Sequence, residues 1–329
     1  MAEPDIAASL LEALPEALAA SLEGRIQSAR IVKGRAMIVL DVAGLDTDER
    51  ARIEADLKAA LSHRADVGEV RVIQTAQRTG RRIIAVGSGK GGVGKSTLAA
   101  NLAIALKRAG HKVGLVDADI YGPSQPLILD TQDAKPEARD SKLIPVESRF
   151  GVPVLSMGHL AKPGQAIAWR GPMAGNALSQ LIDAHWGETD ILIVDLPPGT
   201  GDVQLTMLQK FKPAGAVLVS TPQDLALIDA TRAIDLFNQA KVPIVGLVEN
   251  MAGYLCPECG AVSNPFGQGG TESAAQALGV PFLGRVPLAM EIRVASDTGQ
   301  PPAASDTQHG AHFAGIAKQL AEFLGAAKG

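Results

Sequence analysis

The segment VGSGKGGVGKST, residues 86–97, restricts the fold of this chain more than any other stretch. It follows the apolar run of residues 83–86 and precedes a helical pattern over residues 96–109. Its glycines let backbone N–H groups converge on phosphate oxygens, and a helix that begins directly behind them points its positive end at the same anion. The segment therefore predicts a strand, a phosphate-binding loop and a helix in direct succession.

The loop matches in full the pattern G-x-x-x-x-G-K-[ST] of nucleotide-binding proteins. Lys95 is expected to neutralise the β and γ phosphates of ATP, and the hydroxyl of Ser96 is expected to bind Mg²⁺. The residues assigned to the nucleotide are Gly89, Lys90, Gly91, Gly92, Val93, Gly94, Lys95, Ser96 and Thr97. The pattern needs only one lysine, so it leaves Lys90 unexplained.

Continuous apolar runs recur from residue 83 onward, and helical patterns such as residues 224–239 separate most of them. The runs cover residues 83–86, 113–119, 152–158, 190–197, 215–220, 243–250 and 281–287. Strands that are hydrophobic throughout and alternate with helices form a parallel sheet covered on both faces. We therefore predict an α/β fold with a doubly wound, mostly parallel sheet, and a ligand at the carboxyl ends of its strands.

The N-terminal part of the chain has a different pattern. Its elements are, in order, a helix, two strands, a helix and a strand, at residues 4–23, 29–32, 36–42, 45–64 and 69–74. This order predicts a small α/β sandwich domain over residues 1–75, with Asp46 as the N-cap of the second helix. The polar, basic residues 76–82 are predicted to be a linker, and residues 83–329 the nucleotide-binding domain.

Carboxylates follow two of the predicted strands. Asp195 lies near the end of the run 190–197, where a Walker B aspartate belongs, and is expected to hold Mg²⁺ through water. Asp117 and Asp119 end the run 113–119 and would face the same crevice, Asp117 as a metal ligand and Asp119 as a catalytic group. The plain alternative is that each aspartate caps the turn after its strand.

Cys256 and Cys259 are the two cysteines of the chain, and they form one C-P-E-C motif. A disulfide is disfavoured in the cytosol, and a thioredoxin-like redox pair sits at a helix start in a different fold. The motif is also typical of half a zinc knuckle, although two thiolates do not complete a four-coordinate site. The motif alone leaves these uses open, and metal binding would need ligands from elsewhere.

Charge and hydropathy limit the classes of binding partner that this chain is expected to have. The formal net charge of −4 gives no global basic field for nucleic acid. No uninterrupted apolar stretch reaches the roughly 18 residues that span a bilayer. The acidic N-terminal segment has no basic region ahead of its apolar residues, which is unlike a signal peptide. We expect a cytoplasmic protein with no membrane or nucleic-acid partner.

The lysine directly after the first glycine of the loop, Lys90, resembles the deviant Walker A motif of the MinD/ParA-like class of P-loop ATPases. The resemblance implies slow, dimer-dependent hydrolysis of ATP. Lys90 would reach across a homodimer to the phosphates of the partner's ATP, much as an arginine finger does in trans. Asp119 would orient the attacking water.

Further motifs indicate which family within this class the chain resembles. They are DADIYGPS (117–124), WRGPM (169–173), DLPPGTGD (195–202), ENM (249–251) and CPEC (256–259). Together with the loop they resemble the Mrp/ApbC/Nbp35 family of iron–sulfur cluster carrier ATPases over residues 80–327. The resemblance implies that Asn250 reads the adenine edge and that Pro287 packs beside the base. It also implies ATP, Mg²⁺ and a [4Fe–4S] cluster, with zinc as a substitute.

In this interpretation Cys256 and Cys259 from two chains hold one cluster, which is transferred to recipient apo-proteins. Residues 1–75 are similar, more weakly, to the small MIP18-type iron–sulfur assembly domain, although they contain no cysteine. The alternative is a regulatory or positioning switch of the MinD/ParA type with structural zinc at the cysteines. A membrane-cycling switch would have a basic amphipathic C-terminal helix, whereas this tail carries only Lys318 and Lys328 against Glu322.

Overall fold

The computed structural model describes most of the chain. The described residues are 14–15, 18–19, 22, 25–32, 34–42, 45, 47–62, 67–75, 81–120, 122–160, 172–256 and 258–326. The chain divides into two compact units, Met1–Gly80 and Arg81–Gly329. None of the helices in the described ranges is long and apolar enough to cross a membrane.

In the first unit, the helix over Thr47–Leu61 packs on a three-stranded sheet. Its elements are β1 (Ile26–Val32), β2 (Arg35–Asp41), α1 (Thr47–Leu61) and β3 (Glu69–Thr75). The central strand β2 pairs antiparallel with β1 and parallel with β3. Its alternate residues Ile38 and Leu40 are fully buried against Leu57 of α1, as a sheet with one covered face requires. The predicted first helix and the predicted cap Asp46 fall largely or wholly outside the described residues.

The second unit is built on nine strands of one mixed sheet and a separate small hairpin. The sheet strands are β4 (Arg82–Gly87), β5 (Val113–Asp117), β8 (Val146–Glu147), β9 (Pro153–Ser156), β10 (Ile191–Asp195), β11 (Gly215–Ser220), β12 (Ile244–Leu255), β13 (Val262–Ser263) and β14 (Phe282–Leu288). The hairpin strands are β6 (Glu137–Arg139) and β7 (Lys142–Ile144).

Helices connect these strands. They are α2 (Lys95–Arg108), α3 (Gln125–Ile128), α4 (Met157–Leu160), α5 (Pro172–Ile182), α6 (Asp202–Thr206), which continues as a π-helical turn (Met207–Phe211), α7 (Asp224–Gln239), α8 (Gly270–Leu278), α9 (Met290–Asp297), a 3₁₀ turn (Pro302–Ala304) and α10 (Gln308–Ala326).

The strand order is β13-β12-β11-β4-β10-β5-β9-β8, with β14 also paired to β12. All pairs are parallel except those of β13 with β12 and β8 with β9. The first strand, β4, lies in the middle, with β10 and β5 on one side and β11 and β12 on the other. The strand order therefore reverses at β4, which is where such sheets bind ligands.

Both faces of this sheet are covered. In β4, Ile84 and Val86 pack into one core cluster, whereas Ile83 and Ala85 pack into another on the opposite face. The helices α2 and α10 supply residues to the first cluster, and α5 and α7 to the second. The prediction of a doubly wound, mostly parallel α/β sheet is thus confirmed.

Several predicted boundaries are wrong. The predicted linker, residues 76–82, extends too far, because Arg82 already pairs with Ile191 as the first residue of β4. The predicted strand 113–119 ends at Asp117, since the carboxylate of Asp117 accepts hydrogen bonds from the turn that follows. The run 152–158 is split into β9 and the short helix α4.

Candidate functional site

The phosphate loop connects the end of β4 to the start of α2, as the sequence predicts. Gly92 and Gly94 have φ angles of 78° and 83°, in the left-handed region that favours glycine. Ser88 fixes the entry to the loop, because its Oγ donates to the carbonyl oxygen of Lys90 at 2.9 Å. Gly91 and Gly92 are exposed, so this part of the backbone is open to a ligand.

A neighbouring side chain, as well as the φ angle, requires glycine at position 94. A Cβ atom at this position would overlap the amide nitrogen of Asn250 and lie 3.3 Å from its Cγ. The same amide nitrogen donates to the carbonyl oxygen of Val93 at 2.8 Å. Asn250, at the carboxyl half of β12, therefore supports the loop from below, and only glycine leaves room for it.

Lys95 and Asp195 form a buried ion pair in the middle of the site. The Nζ atom of Lys95 bonds to Oδ1 of Asp195 and lies 3.3 Å from Oγ of Ser96. The side chains of Lys95 and Asp195 are 6% and 0% exposed, so each charge depends on the other for compensation. The pair joins the start of α2 to the end of β10.

Asp117 lies beside this pair on the adjacent strand β5. Its Oδ2 accepts hydrogen bonds from the backbone N–H groups of Ser124 and Gln125 and from Oγ of Ser156, at 2.9–3.1 Å. Burial and, to a smaller degree, the charge of Asp195 raise the pKa of Asp117 to about 7, while the hydrogen bonds from Gln125, Ser156 and the backbone N–H of Asp119 act in the opposite direction. The carboxylate thus orders the turn after β5, which is the capping role that the sequence left open.

Gln125 also contacts the site, although no sequence pattern singled it out. Its side chain is fully buried, and its Nε2 donates to Oδ2 of Asp195 at 2.8 Å and to the carbonyl oxygen of Ser96 at 2.9 Å. Its Oε1 is buried and has no hydrogen-bond partner among the described residues. No periodicity or motif marks this glutamine, because both contacts come from elements distant in the sequence.

Asp119 and Lys90 lie at the rim of the site. Asp119 is 9% exposed, and its Oδ1 accepts a hydrogen bond from the backbone N–H of Gly122 at 3.2 Å. The Nζ of Lys90 donates to Oε1 of Gln223 at 3.2 Å. Lys90 is therefore held within its own chain by a neutral acceptor, directly before α7.

A cavity of about 180 Å³ lies on the other side of the loop. The predicted base contacts Asn250 and Pro287 both line it, together with Gly94 and Thr97. Phe313 closes one wall, and Arg293 pairs with Asp297 at 3.1 Å along another.

The two cysteines lie in the loop of a hairpin formed by β12 and β13. Tyr254 pairs with Ser263 and Leu255 with Val262 in antiparallel register. The backbone N–H of Cys256 donates to the carbonyl oxygen of Ala261 at 2.9 Å, which closes the loop. Cys259 is exposed. Backbone N–H groups of Cys259 and Glu258 lower the pKa of the Cys256 thiol, which favours the thiolate form that binds metals.

The residues around Lys95 fit a hydrated Mg²⁺ ion. Hard oxygen donors converge there, namely the hydroxyl of Ser96 and the carboxylates of Asp117 and Asp195. The buried Oε1 of Gln125, which has no hydrogen-bond partner in the described part of the chain, adds an acceptor for a metal-bound water. The site thus offers both a direct oxygen ligand and acceptors for waters.

The structure brings most of the predicted nucleotide residues together. The loop residues, Lys95, Ser96, Asp117 and Asp195 share one crevice, and Asn250 contacts the loop. Cys256 and Cys259 belong to a separate hairpin that continues the same strand as Asn250. In the described part of the chain, no group of three or more His, Cys, Asp or Glu side chains is arranged to hold a metal ion.

Comparison with known families matches residues 79–321 to the family described as ParA: NUBPL iron-transfer P-loop NTPase. A protein from Pseudomonas fragi called "Iron-sulfur cluster carrier protein" is 45% identical over 277 residues, 82% of this chain and 93% of that protein. The "Iron-sulfur cluster transfer protein NUBPL" of Dictyostelium discoideum is 44% identical over 249 residues, 74% of this chain and 77% of that protein.

Among solved structures, a nucleotide-binding protein from Archaeoglobus fulgidus in complex with ADP, in which cobalt was found, is similar. It shares 40% sequence identity with a TM-score of 0.59, over 67% of this chain and 87% of that chain.

Proposed function

Because the chain belongs to the NUBPL-type family of iron-transfer P-loop NTPases, we propose that it is an ATP-dependent iron–sulfur cluster carrier. One observation carries the proposal. The cysteine hairpin is the direct extension of β12, whose residue Asn250 bonds to the phosphate loop at Val93. A single strand therefore connects the nucleotide loop to a pair of thiols that suits an iron–sulfur cargo.

Nucleotide binding uses the loop between β4 and α2. Backbone N–H groups of the loop and the N-terminus of α2 hold the phosphates. The hydroxyl of Ser96 and the carboxylates of Asp195 and Asp117 would hold Mg²⁺ beside the phosphates. When bound, Mg²⁺ neutralises phosphate charge, and the cavity beside Asn250 and Pro287 takes the adenine base.

The ion pair of Lys95 with Asp195 leads us to expect that nucleotide and cation bind together. A phosphate that draws Lys95 away would leave the fully buried Asp195 carboxylate uncompensated. Lys95 would then pair with the phosphate, and Asp195 would be free to compensate the charge of a cation bound with it. ATP without Mg²⁺ is therefore expected to bind weakly.

Hydrolysis is slow and takes place in a homodimer. Lys90 of one protomer leaves Gln223 and contacts the phosphates bound by the partner, where it stabilises the charge that develops on the transferred group. Asp119 orients the attacking water from the rim of the site. Because Lys90 and Asp119 come from different protomers, each site lacks a catalytic group until two chains associate.

The cluster is cargo, shared between two copies of the hairpin. Each chain has two cysteines, whereas a [4Fe–4S] cluster usually takes four thiolates, which a two-fold axis through the hairpins supplies. The exposure of Cys259 favours transfer to recipient apo-proteins. Zinc competes for the same thiolates in air. The cytoplasmic location and the MIP18-like role of residues 1–75 stay predictions.

The test is anaerobic reconstitution of the full-length protein with iron and sulfide. We expect about four irons and four sulfides per dimer, a cluster absorbance, and delivery to an apo-ferredoxin. The variants C256A and C259A should each lose the cluster, while Mg²⁺–ATP binding stays as in the parent protein because the phosphate loop is unchanged.

A control variant is S263A, in which an exposed residue of the same hairpin is altered without loss of a thiol. It should load and deliver the cluster normally. A chain without both cysteines that still delivers a cluster would refute the carrier function. Stable zinc with no transferable cluster after anaerobic loading would instead support the switch of the MinD/ParA type.

A further inference from the structure

Gln125 is a buried polar residue of the candidate nucleotide site, in contact with Asp195. It is the first residue of α3, directly after the turn that Asp117 orders, and its side chain is 0% exposed. Its amide lies between the end of β10 and the first turn of α2. It therefore joins the two elements that carry Asp195 and Ser96.

The orientation of this amide is fixed by its partners. Oδ2 of Asp195 and the carbonyl oxygen of Ser96 are both acceptors, so the NH₂ group must face them. Both N–H bonds are used in this way. The other end of the amide, Oε1, is then available only as an acceptor, and among the described residues it has no donor.

A buried acceptor without a donor is unfavourable unless a ligand or an ordered water satisfies it. Mg²⁺ keeps several waters when it binds to proteins, and these waters are strong donors. The Nε2 atom bonds to Oδ2 of Asp195 and to the carbonyl oxygen of Ser96, the residue whose hydroxyl is the expected Mg²⁺ ligand. The Oε1 atom of the same amide group therefore lies next to the expected cation site.

We propose that Gln125 is a positioning residue for Mg²⁺, which holds Asp195 through Nε2 and accepts a hydrogen bond from a metal-bound water through Oε1. The inference rests on the proposed nucleotide function and deepens it. It assigns to Gln125 the outer-shell role that orients metal ligands in other proteins, where loss of such a partner lowers metal affinity by about 10- to 100-fold.

The chain offers a matched control in Gln204. This glutamine is also buried, at 1% exposure, and its Oε1 also has no hydrogen-bond partner among the described residues. Its Nε2, however, donates to the carbonyl oxygen of Pro197 and not to an expected metal partner. The two substitutions Gln125→Leu and Gln204→Leu therefore remove the same chemical group from two similarly buried places.

The experiment uses the full-length protein with ADP and Mn²⁺ as the probe for the divalent site. Free Mn²⁺ is counted by electron paramagnetic resonance, and ADP affinity is measured separately in EDTA. We expect Q125L to bind Mn²⁺ about tenfold more weakly in the presence of ADP. Its ADP affinity in EDTA should match that of the parent protein, and Q204L should match the parent in both measurements.

Equal Mn²⁺ affinity in Q125L and the parent protein would overturn the inference, and so would an equal loss in Q204L. If Q125L does not fold, Q125M, with an unbranched side chain of similar volume, replaces it. Failure of both to fold while Q204L folds would assign Gln125 a structural role only. If the parent protein shows no divalent-dependent ADP binding, the proposed nucleotide function itself fails, which is a separate result.

Discussion

Substitution of Gly94 by alanine tests the contact between the phosphate loop and β12 quantitatively. An alanine at φ 83° adopts the left-handed conformation at a cost of about 1–2 kcal/mol. The new Cβ atom would also displace the side chain of Asn250 and break its hydrogen bond to Val93, which is worth about 1 kcal/mol. We expect G94A to lower the free energy of unfolding by about 2–3 kcal/mol.

Gly92 provides the matched control. Its φ angle of 78° is nearly the same, but a Cβ atom there meets no atom within 4 Å. G92A should therefore show only the backbone term of about 1–2 kcal/mol. The difference between the two glycine variants, about 1 kcal/mol, measures the displacement of Asn250.

Urea denaturation followed by tryptophan fluorescence is a suitable assay, because both tryptophans, residues 169 and 186, lie in the second unit. A double-mutant cycle with N250A sharpens the test. G94A and N250A remove the same hydrogen bond, so their effects should be less than additive by about 1 kcal/mol. G92A and N250A should add within about 0.5 kcal/mol. Additive effects of G94A and N250A, or equal effects of G92A and G94A, would refute the proposed contact.

Three other predictions concern the nucleotide and the dimer. K95A should bind Mg²⁺–ATP far more weakly, because it removes the phosphate cation and leaves the buried Asp195 unpaired; unchanged affinity in calorimetry would contradict the site. K90A should retain ATP binding but lose about 10³-fold in ATP turnover, measured as released phosphate. A mixture of K90A with D119A should regain part of the turnover, because one site of a mixed dimer then contains both groups; no recovery would mean that the two groups act from the same chain.

The sequence predicts those parts of the site that depend on local pattern. The run 83–86, the glycine loop and the helix after it are adjacent in the chain, so their order alone predicts a strand, a phosphate loop and α2. The mostly parallel sheet is also predicted, because hydrophobic strands that alternate with helices are typically parallel and covered on both faces. These features need no knowledge of distant contacts.

The contacts of Gln125, Gln223 and Asn250 could not be predicted in this way. Gln223 bonds to Lys90 across 133 residues, and Gln125 bonds to Asp195 across 70. Glutamine has no positional signature in either place, and only the packing of strands sets these distances. The same is true of the hydrogen bond from Asn250 to Val93 in the loop, whereas the contact of Asn250 with adenine stays a prediction.

The cysteine hairpin has a further consequence for how this protein tolerates change. The inner half of β12 lies in the sheet, with Leu247 and Val248 fully buried, but the hairpin beyond it exposes Val262, Ser263 and Cys259. Substitutions at such exposed positions usually alter stability by no more than about 0.5 kcal/mol. Substitutions in the hairpin can therefore alter or abolish cargo binding while the folded sheet and its nucleotide loop keep their stability. Cargo binding and fold stability are thus free to vary independently.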